Sequence, residues 1–335
     1  MSVWQYIARR VLELVPTLLG LLILIFLIAR VMPGDPVKLA LGPEATREQV
    51  EAFRRELGLD QPLWKQFEDY TLGVMKGDFG TSLRTFQNVS DDVRRTLPAT
   101  LELVVSALLI AVLFGIPIGL FSALHRDSWI DNFTRAVSIS GVALPRFWVG
   151  ILLQIWVASA LGIFPIVGRD SGLAPTSITG FYTVDALIKA DFPAFFSALW
   201  HLTLPAFTLA LPSAAQLARL TRASMIEVLR QQYILVHRAY GVSPGRIAWH
   251  YALRNGLTAI LTLVGLSFGA LIENAVLVEV VFAWPGLSAY GAAAVLAKDF
   301  NAVVAVTLII GLAFLLANLL VDLLYGVLDP RVRYG

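Results

Sequence analysis

Six apolar stretches decide what this chain can become: residues 11–31, 99–124, 136–164, 200–217, 257–282 and 302–324. About 20 apolar residues in a helix cross a hydrocarbon core of about 30 Å, and inside that core every backbone N–H and C=O needs an internal partner. Helices meet that demand within one segment. The sequence therefore predicts an all-α membrane protein of six transmembrane helices. Composition agrees, with 57% apolar and only 15% charged residues, far from the balance of a soluble domain.

Several functions are excluded early. The chain has no cysteine, so it can form no disulfide and offers no thiolate for catalysis or metal binding. Four scattered histidines make a metal cage improbable; His201 and His250 read as packing residues, and no metal is expected. No GxxxxGK[ST] occurs, so this chain holds no nucleotide in a P-loop. No nucleophile–base pair or HExxH pattern points to an intramembrane hydrolase, so no catalytic residue is expected. The first apolar stretch is too long for a signal peptide, and no small-residue cleavage site follows it. Arg9 and Arg10 before it put the N-terminus in the cytoplasm, and six spans return the C-terminus to the same side.

Residues 1–98 are expected to form a first span plus a small helical extracytoplasmic subdomain, and 99–335 a five-helix core. Within the subdomain, Thr46 with Gln49 makes a capping box that opens a helix Gly58 can close. A second amphipathic helix over 62–75 has Trp64, Phe67 and Leu72 as its expected apolar contacts. Gly115, Pro117 and Gly119 in the second span mark a kink or a close approach of helices. Residues 125–135 form a short cytoplasmic turn. The third span contains Pro145-Arg146, residues 184–199 are loosely amphipathic, and Pro205 and Pro212 break the fourth span. Trp284-Pro285-Gly286-Leu287 turns at the outer surface. Trp4, Tyr6 and Tyr325 read as interfacial anchors.

The longest polar interruption of the second half, at about 219–256, carries Arg219, Arg222, Arg230, Arg238, Arg246 and Arg254 against the single acid Glu227. Its local signals predict two short helices with a joint. Gly241 suits the left-handed closing position of the first, and Ser243-Pro244 suits the N-cap and first position of the second. Ile247, Tyr251 and Arg254 share one face of that second helix, with Ala248 and Leu253 beside them, so an apolar side is free to dock. Arg219, Arg222 and Arg254 read as orientation signals.

This segment resembles the EAA loop of ABC-importer permeases, in the His237-Arg238-Ala239-Tyr240-Gly241 … Tyr251-x-Leu253-Arg254-Asn255 form of the dipeptide and oligopeptide branch. Leu235, Val236 and His237 stand where the wider family has an acid and two alanines, and Arg254 replaces its proline. The resemblance extends to both ends: Pro33-Gly34-Asp35-Pro36, Leu57 to Pro62, Gly77 to Ser82, Val278-Glu279 before Phe282 to Leu287, and Asp322 to Tyr325 before Asp329-Pro330-Arg331. It implies the first of two permease subunits of a type I importer in the bacterial inner membrane. Arg238, Ala239, Tyr240, Gly241, Ser243, Pro244, Arg246, Tyr251 and Leu253 would couple it to an ATPase. It further implies four kinds of partner besides the bilayer: a second related permease, two cytoplasmic ATPase subunits that use ATP and Mg, and an extracytoplasmic solute-binding protein. This chain would bind no cofactor and no nucleic acid. Relatives of this kind move di- and oligopeptides, glutathione, nickel chelates or oligosaccharides.

Charges inside the spans add a second candidate site. A helix starting near Arg135 lifts Arg146 by about 16 Å, near mid-depth of the hydrocarbon, and Glu273, Asn274 and Glu279 lie within the fifth span. Such charges cost at least about 2.5–3.5 kcal/mol facing lipid and normally meet a cavity or a partner. Arg146 and Glu273, with Asn274 and Glu279, are therefore expected along a translocation path; the alternative is that Arg146 snorkels to the cytoplasmic surface. The same charges leave open a secondary transporter or channel without an ATPase, although no inverted repeat is evident.

Overall fold

The computed structural model describes residues 3–31, 36–42, 44–56 and 58–328. Residues 33–35 of the first motif, the tail at 329–333 and the side chains of Trp4, Tyr6 and Tyr325 lie outside what it describes. Helices dominate: α1 (Val3–Val31), α2 (Pro36–Leu41), α3 (Arg47–Glu56), α4 (Leu63–Met75), α5 (Val89–Leu124), α6 (Trp129–Ala143), α7 (Arg146–Leu153), α8 (Tyr182–Ile188), α9 (Phe192–Val228), α10 (Gln232–Ala239), α11 (Pro244–Arg246), α12 (Leu253–Val281), α13 (Leu287–Leu296) and α14 (Phe300–Leu328). Among the described residues the only β-pairing is an isolated bridge, Thr81 with Asn88. Four of these helices, α5, α9, α12 and α14, are long and apolar enough to span a membrane, and α6 with α7 makes a fifth candidate. α1 contributes a shorter apolar stretch, Leu12–Ile28. The chain folds as two compact units, one built on Leu101–Trp284, the other on Trp4–Thr100 with Pro285–Leu315.

In the second of these units the capping box forms as the sequence predicts. The Thr46 N–H donates to Gln49 Oε1 at 2.9 Å, and the Gln49 N–H donates to Thr46 Oγ1 at 3.3 Å. Gly58 closes α3 at φ +63°. The contacts of α4 differ from expectation. Trp64 and Leu72 stay 69% and 48% exposed, while Phe67 meets Phe26 of α1 edge-on at 5.2 Å and Tyr70 and Val74 pack beside it. The helix carries two apolar stripes, and the one containing Phe67, Tyr70 and Val74 is the one that reaches the ends of α1 and α14. α13 was not legible as a helix after the Pro285-Gly286 turn; it packs Leu287, Tyr290 and Ala294 on Val89 and Val93 of α5. The loop 77–88 cradles the start of α14. Ser82 Oγ donates to the buried Asp299 carboxylate, the Arg84 N–H adds a bond at 3.2 Å, and Asn301 Nδ2 donates to Thr81 O at 3.0 Å.

In the first unit prolines act otherwise than expected at two places. Residues 136–164 do not form one continuous helix. α6 and α7 meet at 104°, because Pro145 forces Leu144 into an extended conformation (ψ 133°) and ends the helix before it. α7 then continues as a π-helical stretch, Gln154–Ala160. Conversely, Pro205 and Pro212 do not break the fourth span: α9 runs unbroken for 37 residues. A proline removes one ladder bond, and close helix packing tolerates that loss; both prolines are buried. The amphipathic stretch at 184–199 is the junction of α8 and α9, turned by Ala190 at φ +54°.

Candidate functional site

The loop between α9 and α12 is built as a rigid elbow. Gly241 sits at φ +75°; its N–H donates to Arg238 O at 2.9 Å and the Val242 N–H to His237 O at 3.1 Å, the paired bonds of a Schellman closure. Ser243 is extended and Pro244 takes the first helical position, but the Ser243 hydroxyl makes no capping bond. The second helix is not short. From Pro244 it passes through α11, a π-helical stretch (Ile247–Ala252) and α12 without a break.

The apolar side expected to dock outward instead packs inward. Ile247, Ala248 and Ala252 are buried against Leu120 and Ala123 of α5, Met225 of α9 and Ile234 of α10. Tyr251 is half-buried and stacks on His237 at 4.0 Å, Leu253 is half-buried, and Arg254 is exposed. What faces out is Arg238, Ala239, Tyr240 (83% exposed), Gly241, Ser243, Pro244 and Arg246. Three apolar residues that sequence reasoning missed, Leu235, Val236 and Trp249, are each more than half exposed beside them. Leu235 and Val236 follow Ile234, which alone fills the inner position; only the tertiary packing reveals which of the three turns inward.

The second group of candidates begins at the helix break. Arg146 opens α7 and is half-buried; its Nη1 is shielded and has no hydrogen-bond partner among the described residues. Glu273 on α12 is its electrostatic neighbour without forming a direct ion pair. Glu273 is exposed on the surface of this single chain, Asn274 is half-buried with Nδ2 donating to Ala270 O at 2.7 Å, and Glu279 is fully enclosed.

Two ion pairs with buried carboxylates had no counterpart in the sequence reading. Arg222 is not a free orientation charge: its Nε and Nη2 grip Asp131 of α6 at 2.5 and 2.7 Å, and Ser122 of α5 donates to the same carboxylate at 2.6 Å. Near the other end of α5, Glu102 accepts from Arg169 Nη2 at 2.5 Å, from the Thr183 N–H at 2.8 Å and from Thr183 Oγ1 at 2.6 Å. Arg169 also donates to Gly180 O at 2.8 Å and lies 3.8 Å over the Tyr182 ring. Asp185 shapes the loop under it. Burial pushes its carboxyl up, but hydrogen bonds from Thr179, Ile178 and Gly180 outweigh that and hold it below the usual carboxylate range.

Long apolar helices, with an exposed elbow leading without a break into one of them, are the parts of a membrane-embedded protein. Residues 115–334 match the family of the binding-protein-dependent transport system inner membrane component, and residues 3–104 match the N-terminal family of the same membrane components. The chain belongs to this family: it is a multi-pass inner-membrane permease subunit of an ABC importer and not itself an enzyme. It is 42% identical to the probable D,D-dipeptide transport system permease protein DdpB of Escherichia coli (strain K12), over 100% of this chain and 99% of that one. It is 39% identical to the di/tripeptide transport system permease protein DppB of Pseudomonas aeruginosa (strain UCBPP-PA14) and 36% identical to the glutathione transport system permease protein GsiC of Escherichia coli (strain K12), each over 98% of this chain and 99% of the relative. Family membership also decides against the transporter or channel that works without an ATPase.

Proposed function

We propose that this chain forms half of a translocation path for short peptides and that cytoplasmic ATPases drive it through the exposed elbow at 235–250. The observation that carries the reading is the surface of Leu235, Val236, Arg238, Tyr240 and Trp249, held out from a joint that is continuous with α12 on one side. A second permease completes the path, a solute-binding protein delivers the peptide from outside, and ATP and Mg belong to the ATPases. Both termini face the cytoplasm, on the side of the arginine-rich elbow. The names of the relatives support the substrate class: dipeptide, di/tripeptide and glutathione permeases all handle molecules with a free amine and carboxylates.

The test is co-purification with the ATPases, their activity, and uptake of labelled dialanine. The parent should show all three. A Cβ at Gly241 would meet nothing within 4 Å, so the cost of Gly241→Val is conformational, about 1–2 kcal/mol. It is concentrated at the joint, and ATPase binding and uptake should fall while the chain still inserts. Gly241→Asn, which accepts the left-handed conformation more readily, should recover most of both. Normal binding and uptake by Gly241→Val would remove Gly241 from the mechanism.

Arg146 and Glu273 are proposed to line the path, where they meet the carboxylate and amine of the solute or one another. A carboxylate within the apolar span Ala259–Val281 and exposed on the lone chain requires a wet path or a partner outside it. Glu279 is left out because it is enclosed. Arg146→Gln or Glu273→Gln alone should lower uptake more than the two together, since each single change strands a charge. Additive losses in the four-way comparison would rule this out.

A further inference from the structure

The Asp131–Arg222 pair occupies a position that its stability alone does not explain. Arg222 sits in the last two turns of α9, which ends at Val228 just before the elbow; Asp131 sits in the first turn of α6. Asp131 is fully buried and satisfied from three directions: Arg222 with two bonds, Ser122 Oγ, and the Asp127 N–H at 3.0 Å. At the far end of α6 comes the 104° break and then Arg146. α6 is thus a lever with one end fastened to the helix that enters the elbow and the other at the candidate path. Toward that far end its contact with α9 is apolar where Gly141 faces Ala215 and Leu211, and apolar contacts can slide. A bidentate arginine–carboxylate pair fixes both distance and angle.

We infer that the Asp131–Arg222 pair is a positioning contact that carries movement of the elbow into α6, and through α6 to the helix break bearing Arg146. This rests on the proposed docking of ATPases on the elbow. The pair itself meets neither solute nor ATPase. It keeps the lever in register with α9, so that a tilt of α9 becomes a displacement of Leu144–Pro145–Arg146 and not a slip at the α6–α9 seam.

The test uses the complete transporter in proteoliposomes. The chain lacks cysteine, so Leu144→Cys, at a residue 38% exposed, gives one thiol whose reaction with a fluorescent maleimide is read on this subunit's gel band. In the otherwise unaltered chain the labelling rate should change about 5-fold or more between the nucleotide-free and ATP–vanadate states, the lower end of ordinary coupling between sites. Adding Asp131→Asn should bring that ratio to about one while the assembled complex goes on hydrolysing ATP without uptake. Asp131→Asn with Arg222→Gln leaves no stranded charge, so it should restore the amount of complex but not the ratio. Either variant keeping the unaltered chain's ratio overturns the inference, as does a flat ratio in the unaltered chain or a loss that only follows the amount of complex. Failure of the underlying reading looks different: Gly241→Val would still bind its ATPases.

Discussion

Replacing Gly119 by leucine is expected to lower the amount of this protein in the membrane several-fold. A Cβ on Gly119 would fall inside the contact distance of the Ala218 carbonyl oxygen and 2.7 Å from Thr221 Cβ; on Gly115 it would lie 2.7 Å from the Ala214 carbonyl oxygen. The two glycines, four residues apart, face Ala214 and Ala218, also four apart, so the backbones of α5 and α9 touch. This is small-residue packing, the means by which helices associate where lipid removes the hydrophobic driving force. The obstacle is main chain, so no rotamer change or side-chain truncation clears it. The penalty should reach or exceed the upper end of the about 1–3 kcal/mol usual for overpacking. Gly20→Leu is the control, because nothing lies within 4 Å of its Cβ position. Immunoblotting of membranes and thermal melting of the solubilised chain should show a several-fold loss for Gly119→Leu and little change for Gly20→Leu. Equal abundance and melting of the two would mean that α5 and α9 do not pack through these glycines.

How much of this was legible in advance depends on the range of the signal. The capping box and the left-handed Gly241 were legible because both are local: a hydroxyl three residues from an amide, and a residue without a Cβ where the chain must reverse. Gly115 and Gly119 were recognisable as a close approach or a kink; α5 runs unbroken through Pro117, and its neighbour shows the close approach at both glycines. Prolines misled in both directions. Pro145 turns the chain by a right angle where a continuous span was expected, while Pro205 and Pro212 sit inside an unbroken helix; the local penalty is similar and packing decides the outcome. The elbow's inward face was misjudged because an apolar stripe does not say whether its partner is another protein or the same chain. Arg222 reads as an orientation charge in the sequence because its acid, Asp131, lies far away along the chain; Glu102 and Arg169 are separated in the same way.

That last pair yields the other large effect. Arg169→Ala is expected to destabilise the folded chain by about 3–5 kcal/mol, the usual consequence of removing one partner from a buried ion pair. Glu102 and Arg169 are 4% and 5% exposed, so water does not replace the missing partner. Thr183 would still donate twice to Glu102, which softens the loss without neutralising the charge. Arg169 also holds Gly180 O and covers Tyr182, so its removal loosens the turn that Asp185 organises. The neighbouring backbone bond from Gly168 to Phe282 O at 2.9 Å ties the same loop to the end of α12 and should weaken with it. Glu102→Leu combined with Arg169→Leu removes both charges and should cost clearly less than the two single changes added together. Melting temperatures of the detergent-solubilised chain and protease nicking in the 161–181 loop report the two parts separately. If Arg169→Ala melts with the parent and its loop stays resistant, the pair is not the staple that fastens this loop to α5.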